Sequence, residues 1–411
     1  MKTDLERLMT EKAVDAVVVL GGSSGNPSLY YAVDGAGLTN AVWLKRRGHE
    51  PHLVYNPMER DQARATGIDG SSFADNDWSR FIEEHGGEGP GTTAAFLAHL
   101  LKKLGVTTGI VGVYGTGEVA RLYPMIRRLG EIPGISIHEE MNGRSIMEAA
   151  RLTKSAAEID RMRAVGQACF DAMDEIKATV RAGRLVDGKL QDRSGKPITI
   201  GDLRAGTRRV WARHGVIEDH DSVVAMGKDG TAPHNRGTDT DVLLEGQSIV
   251  VDIFPRESGG GYFFDMTRTF CVGAAPARLR EVYSQVKEVL LSALAEMAVG
   301  TRCINYQIRA CERFERMGYA TIRQDSRIEA GYVHGLGHGL GLDLHEAPRL
   351  GGALSNPDVL APGHVVTVEP GLYFPDEGVA VRLEDVVWVR PDGSLDNLTL
   401  YPYDMEIFPE G

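Results

Sequence analysis

The sequence predicts two domains of different class, a smaller α/β domain over residues 1–150 and a larger α+β domain over residues 151–411. Length and composition call for more than one core, since 411 residues at 42% hydrophobic content exceed what a single core usually organises. Short apolar runs alternate with helical periodicities up to about residue 150, as in an α/β unit. Around Ser145 to Ser155 the texture turns charged and leads into a long amphipathic segment. The boundary falls there.

In the first domain, Ala16-Val-Val-Val-Leu20 is a buried-strand run, and Ala41-Val-Trp-Leu44 and His52-Leu-Val-Tyr55 flank an Arg47-Gly48 turn. Ile110 to Tyr114 and Ile135 to His138 supply further strands. Between them Ala95, Phe96, Leu100, Leu101 and Leu104 recur at helical spacing, as do Val119, Leu122, Met125, Ile126 and Leu129. Gly21-Gly-Ser-Ser-Gly-Asn26 follows a strand but lacks the G-x-G-x-x-G spacing, so it reads as a turn rather than a phosphate loop. The second domain opens on a helix with Ile159, Met162, Cys169, Phe170, Met173, Ile176 and Val180 on one broad face. Arg184 to Gly201 is polar and turn-rich, a surface loop or small hairpin. Two later helices have apolar faces at Leu279, Val282, Val286, Leu290 and Leu294, then at Ile304, Ile308 and Phe314. The remainder reads as strands and loops.

A net charge of −12 without a basic run argues against a nucleic-acid partner and favours a cationic one. The charged start has no apolar h-region, and the early apolar run is far too short to span a bilayer, so no membrane segment and a cytoplasmic location are expected. Cys169, Cys271, Cys303 and Cys311 form no C-x-x-C pair and read as reduced thiols.

The chemistry centres on Tyr332 to Glu346, Y-V-H-G-L-G-H-G-L-G-L-D-L-H-E, where three of twelve histidines fall among closely spaced glycines. Glycine lets backbone approach a ligand closely, and imidazole is a common ligand for divalent metals. Asp252 interrupts the apolar strand Ser248 to Phe254, Asp265 sits in the next, Glu369 ends Val365-Val-Thr-Val-Glu, and Glu384 lies within Val379 to Trp388. Carboxylates in apolar strands must be paired or bind metal. Singly, salt bridges of the aspartates to Arg256 or Arg268 compete equally with metal ligation, and Arg382 and Glu384 are placed to pair on one strand face. Taken together, four carboxylates and a histidine loop suit two divalent cations, manganese, cobalt or zinc. The chemistry implied is two-metal hydrolysis, with a bridging water ionised near neutral pH attacking a polarised carbonyl.

These residues carry a resemblance. Asp252, Asp265 in D-M-T-R-T-F, His338 in H-G-L-G-H-G-L-G-L, Glu369 in T-V-E-P-G and Glu384 in V-R-L-E-D resemble, in order, the ligand set of the pita-bread metallopeptidases. Arg151-Leu-Thr-Lys-Ser-Ala-Ala-Glu-Ile159 resembles the segment that opens the catalytic domain in the proline-specific branch. The resemblance implies a pita-bread catalytic domain, a curved antiparallel sheet covered by helices, behind a creatinase/prolidase-like N-terminal domain. Asp252 would chelate one metal, His338 and Glu369 the other, and Asp265 and Glu384 would bridge them, with manganese first and cobalt or zinc as alternatives. Glu369 would also move a proton. His234, His334 and His345 would contact substrate and stabilise the tetrahedral intermediate, Arg382 joins the catalytic set, and Tyr262 and Arg349 the substrate-binding set. One departure stands out: Asp252 and Asp265 are thirteen positions apart, two more than the family pattern. An even insertion in a hairpin loop need not reverse the facing.

The large N-terminal half argues against a methionine aminopeptidase, and the complete ligand set against creatinase-like chemistry. Hydrolysis of Xaa-Pro dipeptides is the reading that results, with an Xaa-Pro aminopeptidase on longer peptides as its alternative and a catalytically silent pita-bread binding module as the alternative of another class. Small proline-containing peptides are the expected partners, with a homodimer implied by the resemblance.

Overall fold

A computed structural model of the chain describes residues 3–141 and 143–410. The chain separates into two compact units, Met1–Arg151 with Gly259–Gly261, and Leu152–Ser258 with Tyr262–Gly411.

In the first unit β1 (Ala16–Gly21), β2 (Ala41–Arg46), β3 (His52–Tyr55), β4 (Asp69–Ser72), β5 (Gly109–Gly115) and β6 (Ile135–Ile137) form one sheet in the order β4-β3-β2-β1-β5-β6. Strand β1 runs antiparallel to β2 and parallel to β5, so it is central, and Val17, Val18 and Val19 are fully buried. The helices Pro90–Lys103 and Val119–Gly130 bring Phe96, Leu97, Leu100, Leu101, Met125 and Leu129 into the same core. Every expected strand is present. Strand β4 was not expected, because Asp69-Gly-Ser-Ser72 has no apolar alternation. It is held at the sheet edge by pairing to β3 and by Asp75, whose carboxylate accepts from the Ser72 amide and hydroxyl. The expected Gly21–Asn26 turn ends in a cap, the Asn26 side chain accepting from the Leu29 amide of the helix Pro27–Ala32.

The second unit opens on the helix Ala156–Arg181, started by a reciprocal Ser155–Glu158 capping box. The polar segment after it resolves into the hairpin β7 (Arg184–Val186) and β8 (Lys189–Gln191). A helix, Ile200–His214, then follows that the sequence reading missed. Its buried face of Leu203, Thr207, Val210 and Trp211 is crossed by Arg204, which pairs with Asp239 at 2.7 Å, so the apolar period is diluted. The turn signals were there, a Thr199–Asp202 capping box and Gly215 in left-handed geometry at the end.

The strands that position the site follow: β9 (Val216–Ile217), β10 (Val223–Met226), β11 (Ser248–Ile253), β12 (Arg256–Glu257), β13 (Met266–Val272), β14 (Val365–Val368), β15 (Gly371–Phe374), β16 (Val379–Arg382), β17 (Asp385–Val389), β18 (Leu395–Asn397) and β19 (Glu406–Ile407). They make sheets β10-β11-β13-β19 and β14-β17-β18 and the pairs β15-β16 and β9-β12. All pairings are antiparallel except β13 with β19. The expected helices Ala277–Glu296 and Cys303–Arg316 contribute Leu279, Val282, Val286, Leu290 and Phe314 to a core shared with β14–β17. This is the helix-covered α+β architecture expected. The four cysteines are buried and none is in a disulfide. Among the described residues no helix is long and apolar enough to cross a membrane.

Candidate metal centre

Register alone brings the two aspartates together. Asp252 on β11 lies opposite Thr267 on β13, and Asp265 is two positions before Thr267, so alternation sets all three on one face. The long separation is taken up in the connection, where β12 pairs with β9. Glu369 follows β14, and Glu384 lies between β16 and β17. His338 arrives on the glycine segment, which runs against β14: Thr367 donates its amide to the His338 carbonyl at 2.8 Å, and its hydroxyl accepts from the His338 amide at 3.1 Å. A Cβ on Gly337 would stand 2.0 Å from the Thr367 carbonyl oxygen, and one on Gly339 2.0 Å from that of Ala347. These glycines admit neighbouring backbone rather than a ligand, a correction to the reading of the sequence.

The His338 ring has a fixed tautomer. Its Nδ1 lies 3.0 Å from the Gly339 carbonyl, which can only accept, so Nδ1 carries the proton and Nε2 keeps a lone pair. That nitrogen is 3.7 Å from both Asp265 Oδ2 and Glu369 Oε1. Donor atoms of Asp265, His338 and Glu384, all buried, lie within 4.8 Å of one another and form a cluster that could hold a metal ion. Asp252 Oδ1, Asp265 Oδ1 and Glu384 Oε1 are buried without a hydrogen-bond partner. Such oxygens are costly unless something positive meets them, and this oxygen-rich set with one imidazole fits a hard or borderline divalent ion.

The electrostatics agree. Burial and then mutual repulsion push the Asp265 and Glu384 carboxyls well above their usual range, and burial raises Glu369 to about 8. Burial also lowers His338 to about 3, keeping the imidazole neutral, the ligating form. Without a bound cation these carboxyls resist ionisation; a divalent ion inverts that.

The competing salt bridges of the aspartates do not form, since Arg256 pairs with Asp219 at 2.6 Å and Arg268 with Asp385 at 3.0 Å. Arg382 turns to Asp252, Nη2 to Oδ2 at 2.6 Å, rather than to Glu384. Its Nη1 donates to the Tyr373 hydroxyl at 2.8 Å. The Tyr373 oxygen is also 2.9 Å from His334 Nε2. Because His334 Nδ1 donates to the Gly335 carbonyl at 2.8 Å, Nε2 must accept from Tyr373. With burial lowering it to about 4, His334 stays neutral and has no N–H left for an oxyanion. The donor role expected of it does not fit this geometry.

A cavity of about 610 Å³ is lined by all five ligand candidates and by His234, His334, His345, Arg349 and Arg382. Tyr262 is not brought there. It is buried, with its hydroxyl donating to Glu158 of the capping box. Sequence reasoning missed Tyr373, and also His220, Asp221 and Arg236 on the cavity wall. Tyr373 was within reach, because Glu369, Gly371 and Tyr373 share one face under period-two alternation. The other three lie in loops with no periodic signal.

Residues 160–391, more than half of the chain, match metallopeptidase family M24. The chain belongs to metallopeptidase family M24. Among relatives of this M24 chain, a putative Xaa-Pro aminopeptidase of Mycoplasma genitalium is 34% identical over 192 residues, 46% of this chain and 50% of that protein. A probable dipeptidase PepE of Mycobacterium tuberculosis is 28% identical over 288 residues, 70% of this chain and 67% of that protein. The chain thus spans half the length of the first relative. Two solved structures share the fold over nearly the whole chain. An Xaa-Pro dipeptidase from Bacillus anthracis gives a TM-score of 0.75 at 23% identity, covering 99% of both chains. An X-Pro aminopeptidase from Thermotoga maritima gives 0.74 at 22%, covering 98% of this chain and 99% of that one.

Proposed function

We propose that this M24 chain is a metal-dependent peptidase that hydrolyses the bond before proline, most directly in Xaa-Pro dipeptides. The observation that carries the metal chemistry is the buried Asp265, His338 and Glu384 cluster with its unpartnered oxygens. The names of the relatives supply the proline preference. Because they include aminopeptidases as well as dipeptidases, cleavage of longer Xaa-Pro peptides is the second reading.

In this reading Asp252, Asp265, His338, Glu369 and Glu384 would together hold two divalent ions, with manganese first and cobalt or zinc as alternatives. Ions bound there would supply Lewis acidity and a water of lowered pKa. The chain's own groups do the rest. Glu369, a carboxylate on the cavity wall, moves the proton from nucleophile to leaving nitrogen. His234 and His345 line the cavity and offer ring N–H groups to the developing oxyanion. Arg382 fixes Asp252 and, through Tyr373, the wall at His334. Arg349, exposed on the cavity wall, offers a planar fork to the free carboxylate of a dipeptide. The reading includes domains over 1–150 and 151–411, a homodimer, and a cytoplasmic location, the last supported by four cysteines outside any disulfide.

Metal analysis paired with Xaa-Pro, Xaa-Pro-Xaa and a longer peptide, on chelated and manganese-reloaded protein, tests this. Metal-dependent cleavage of the dipeptide alone supports the first reading, and cleavage of the longer peptides the second. Retention of no metal and no cleavage in either state would refute both.

A further inference from the structure

His345, on the cavity wall, has little of its own to hold it. It is exposed, and its ring contact is with His338, centroids 4.4 Å apart and nearly perpendicular. Its position is therefore set by its backbone. The next residue, Glu346, is anchored unusually well. Its amide donates to the Gly339 carbonyl at 2.8 Å, and its carbonyl accepts from the Gly339 amide at 3.0 Å. Its Oε1 accepts from the Leu342 and Asp343 amides at 3.0 and 3.1 Å. Its Oε2 meets Lys154 Nζ at 2.7 Å, in a pair whose side chains are 2% and 7% exposed.

Lys154 comes from a distant part of the chain, just before the helix Ala156–Arg181, and is fastened in turn, its amide donating to the Gly363 carbonyl at 2.8 Å. The ion pair passes directly over Gly341, where a Cβ would stand 2.5 Å from Glu346 Oε2 and 2.8 Å from Lys154 Cε. The Gly341 carbonyl accepts from the Phe263 amide at 2.9 Å, two residues before Asp265. One brace thus touches both the segment bearing His338 and His345 and the segment bearing Asp265.

We propose that the buried Lys154–Glu346 pair is a positioning device for the reaction, holding residues 339–346 so that the His345 ring faces the cavity. A buried ion pair is a poor source of stability, so its worth lies in fixing this geometry. The proposal rests on the peptidase reading for its kinetic consequence but not for its structural one.

The test uses K154M, with K154M/E346Q as a companion that leaves no uncompensated charge. Hydrogen exchange on the metal-free full-length protein is read over residues 337–347 and elsewhere, and kcat and KM are measured on manganese-loaded enzyme with an Xaa-Pro dipeptide. Protection is expected to fall at least about tenfold over 337–347 only, and kcat about 10- to 100-fold with KM nearly unchanged, the size of a small misplacement. In an H345A background K154M should cost almost nothing further, because the two act as one unit. Uniform loss of protection, unchanged protection over 337–347, or a kcat loss that persists undiminished beside H345A would overturn the proposal. If the unaltered protein cleaves no proline peptide yet K154M exposes the loop, the brace stands and the substrate reading falls.

Discussion

Chelation should make the protein's stability fall as pH rises from 6.5 to 8, the reverse of ordinary carboxylate behaviour. In the metal-free site burial lifts Glu369 from 4.5 to about 8, and Asp265 and Glu384 are raised as well. A carboxyl whose folded pKa is raised contributes stability that is present below its unfolded value and lost as pH climbs through the folded one. Histidines work the opposite way: His334, lowered to about 4, and His338, lowered to about 3, contribute stability that is present above 6.5 and lost mostly as pH falls through and below it. From 6.5 to 8 the carboxylates therefore dominate, each of these histidines offsetting only about 0.4 kcal/mol, the residue of its half-protonation in the unfolded chain at pH 6.5. Over that span Glu369 alone accounts for about 2 kcal/mol, with the other two adding in the same direction. For a unit of this size that corresponds to a drop in Tm of roughly 4–8 °C. Thermal melts by circular dichroism at both pH values, on chelated and manganese-reloaded protein, measure it. Reloading should abolish the drop, because bound cations hold the carboxylates ionised. A chelated protein with a flat or rising midpoint, or a reloaded one that falls equally, would refute the reasoning.

Three further outcomes are expected. Arg382→Met strips Asp252 of its cation and Tyr373 of a donor, and should lower stability by about 3–5 kcal/mol; an unshifted urea midpoint would count against the ion pair. Arg349→Ala should raise KM for Xaa-Pro dipeptides about 10- to 100-fold, the worth of a charged hydrogen bond, while longer peptides are unaffected; equal losses on both would remove the carboxylate role. Gly337→Ala sets a methyl against the Thr367 carbonyl and should cost about 1–3 kcal/mol together with manganese affinity by calorimetry; an intact site would show that the loop can retreat from β14.

The fold was legible where burial imposes a period. Ala16–Leu20 is apolar without interruption because β1 is buried at the centre of its sheet, and the helix Ala277–Glu296 shows its stripe because one face meets the core. Strand β4 and the helix Ile200–His214 escaped for the opposite reason. One is a polar edge, and the other carries arginines paired to acids across its surface. Within the site, Asp252, Asp265, His338, Glu369 and Glu384 could be picked out because charge in an apolar strand, or histidine among glycines, is costly without a partner. What a side chain does after folding was harder to read. Nothing in the sequence says that Tyr262 turns to Glu158, that both His334 nitrogens are occupied, or that Arg382 reaches Asp252 across 130 positions.

The carboxylate group is built differently from the structural ion pairs in the same unit, and the difference marks a metal site. Asp385 is fully buried, and both its oxygens are met, Oδ1 by Arg268 and Oδ2 by Asn397 and Tyr403. Glu346 is nearly buried, and both its oxygens are met too. Where this chain buries a carboxylate for architecture, it completes the hydrogen bonding. Asp252, Asp265 and Glu384 each keep one buried oxygen unpartnered, and all three line one cavity beside the lone pair of a neutral imidazole. Glu59 is the other carboxylate with such an oxygen among the described residues, and it stands in the other unit, bonded to Thr39. An isolated unmet oxygen is a packing imperfection that a fold tolerates at a cost of about 1–3 kcal/mol. Three converging on one space, with Arg382 spent on a fourth oxygen, form a donor set whose charge and chemistry suit a cation.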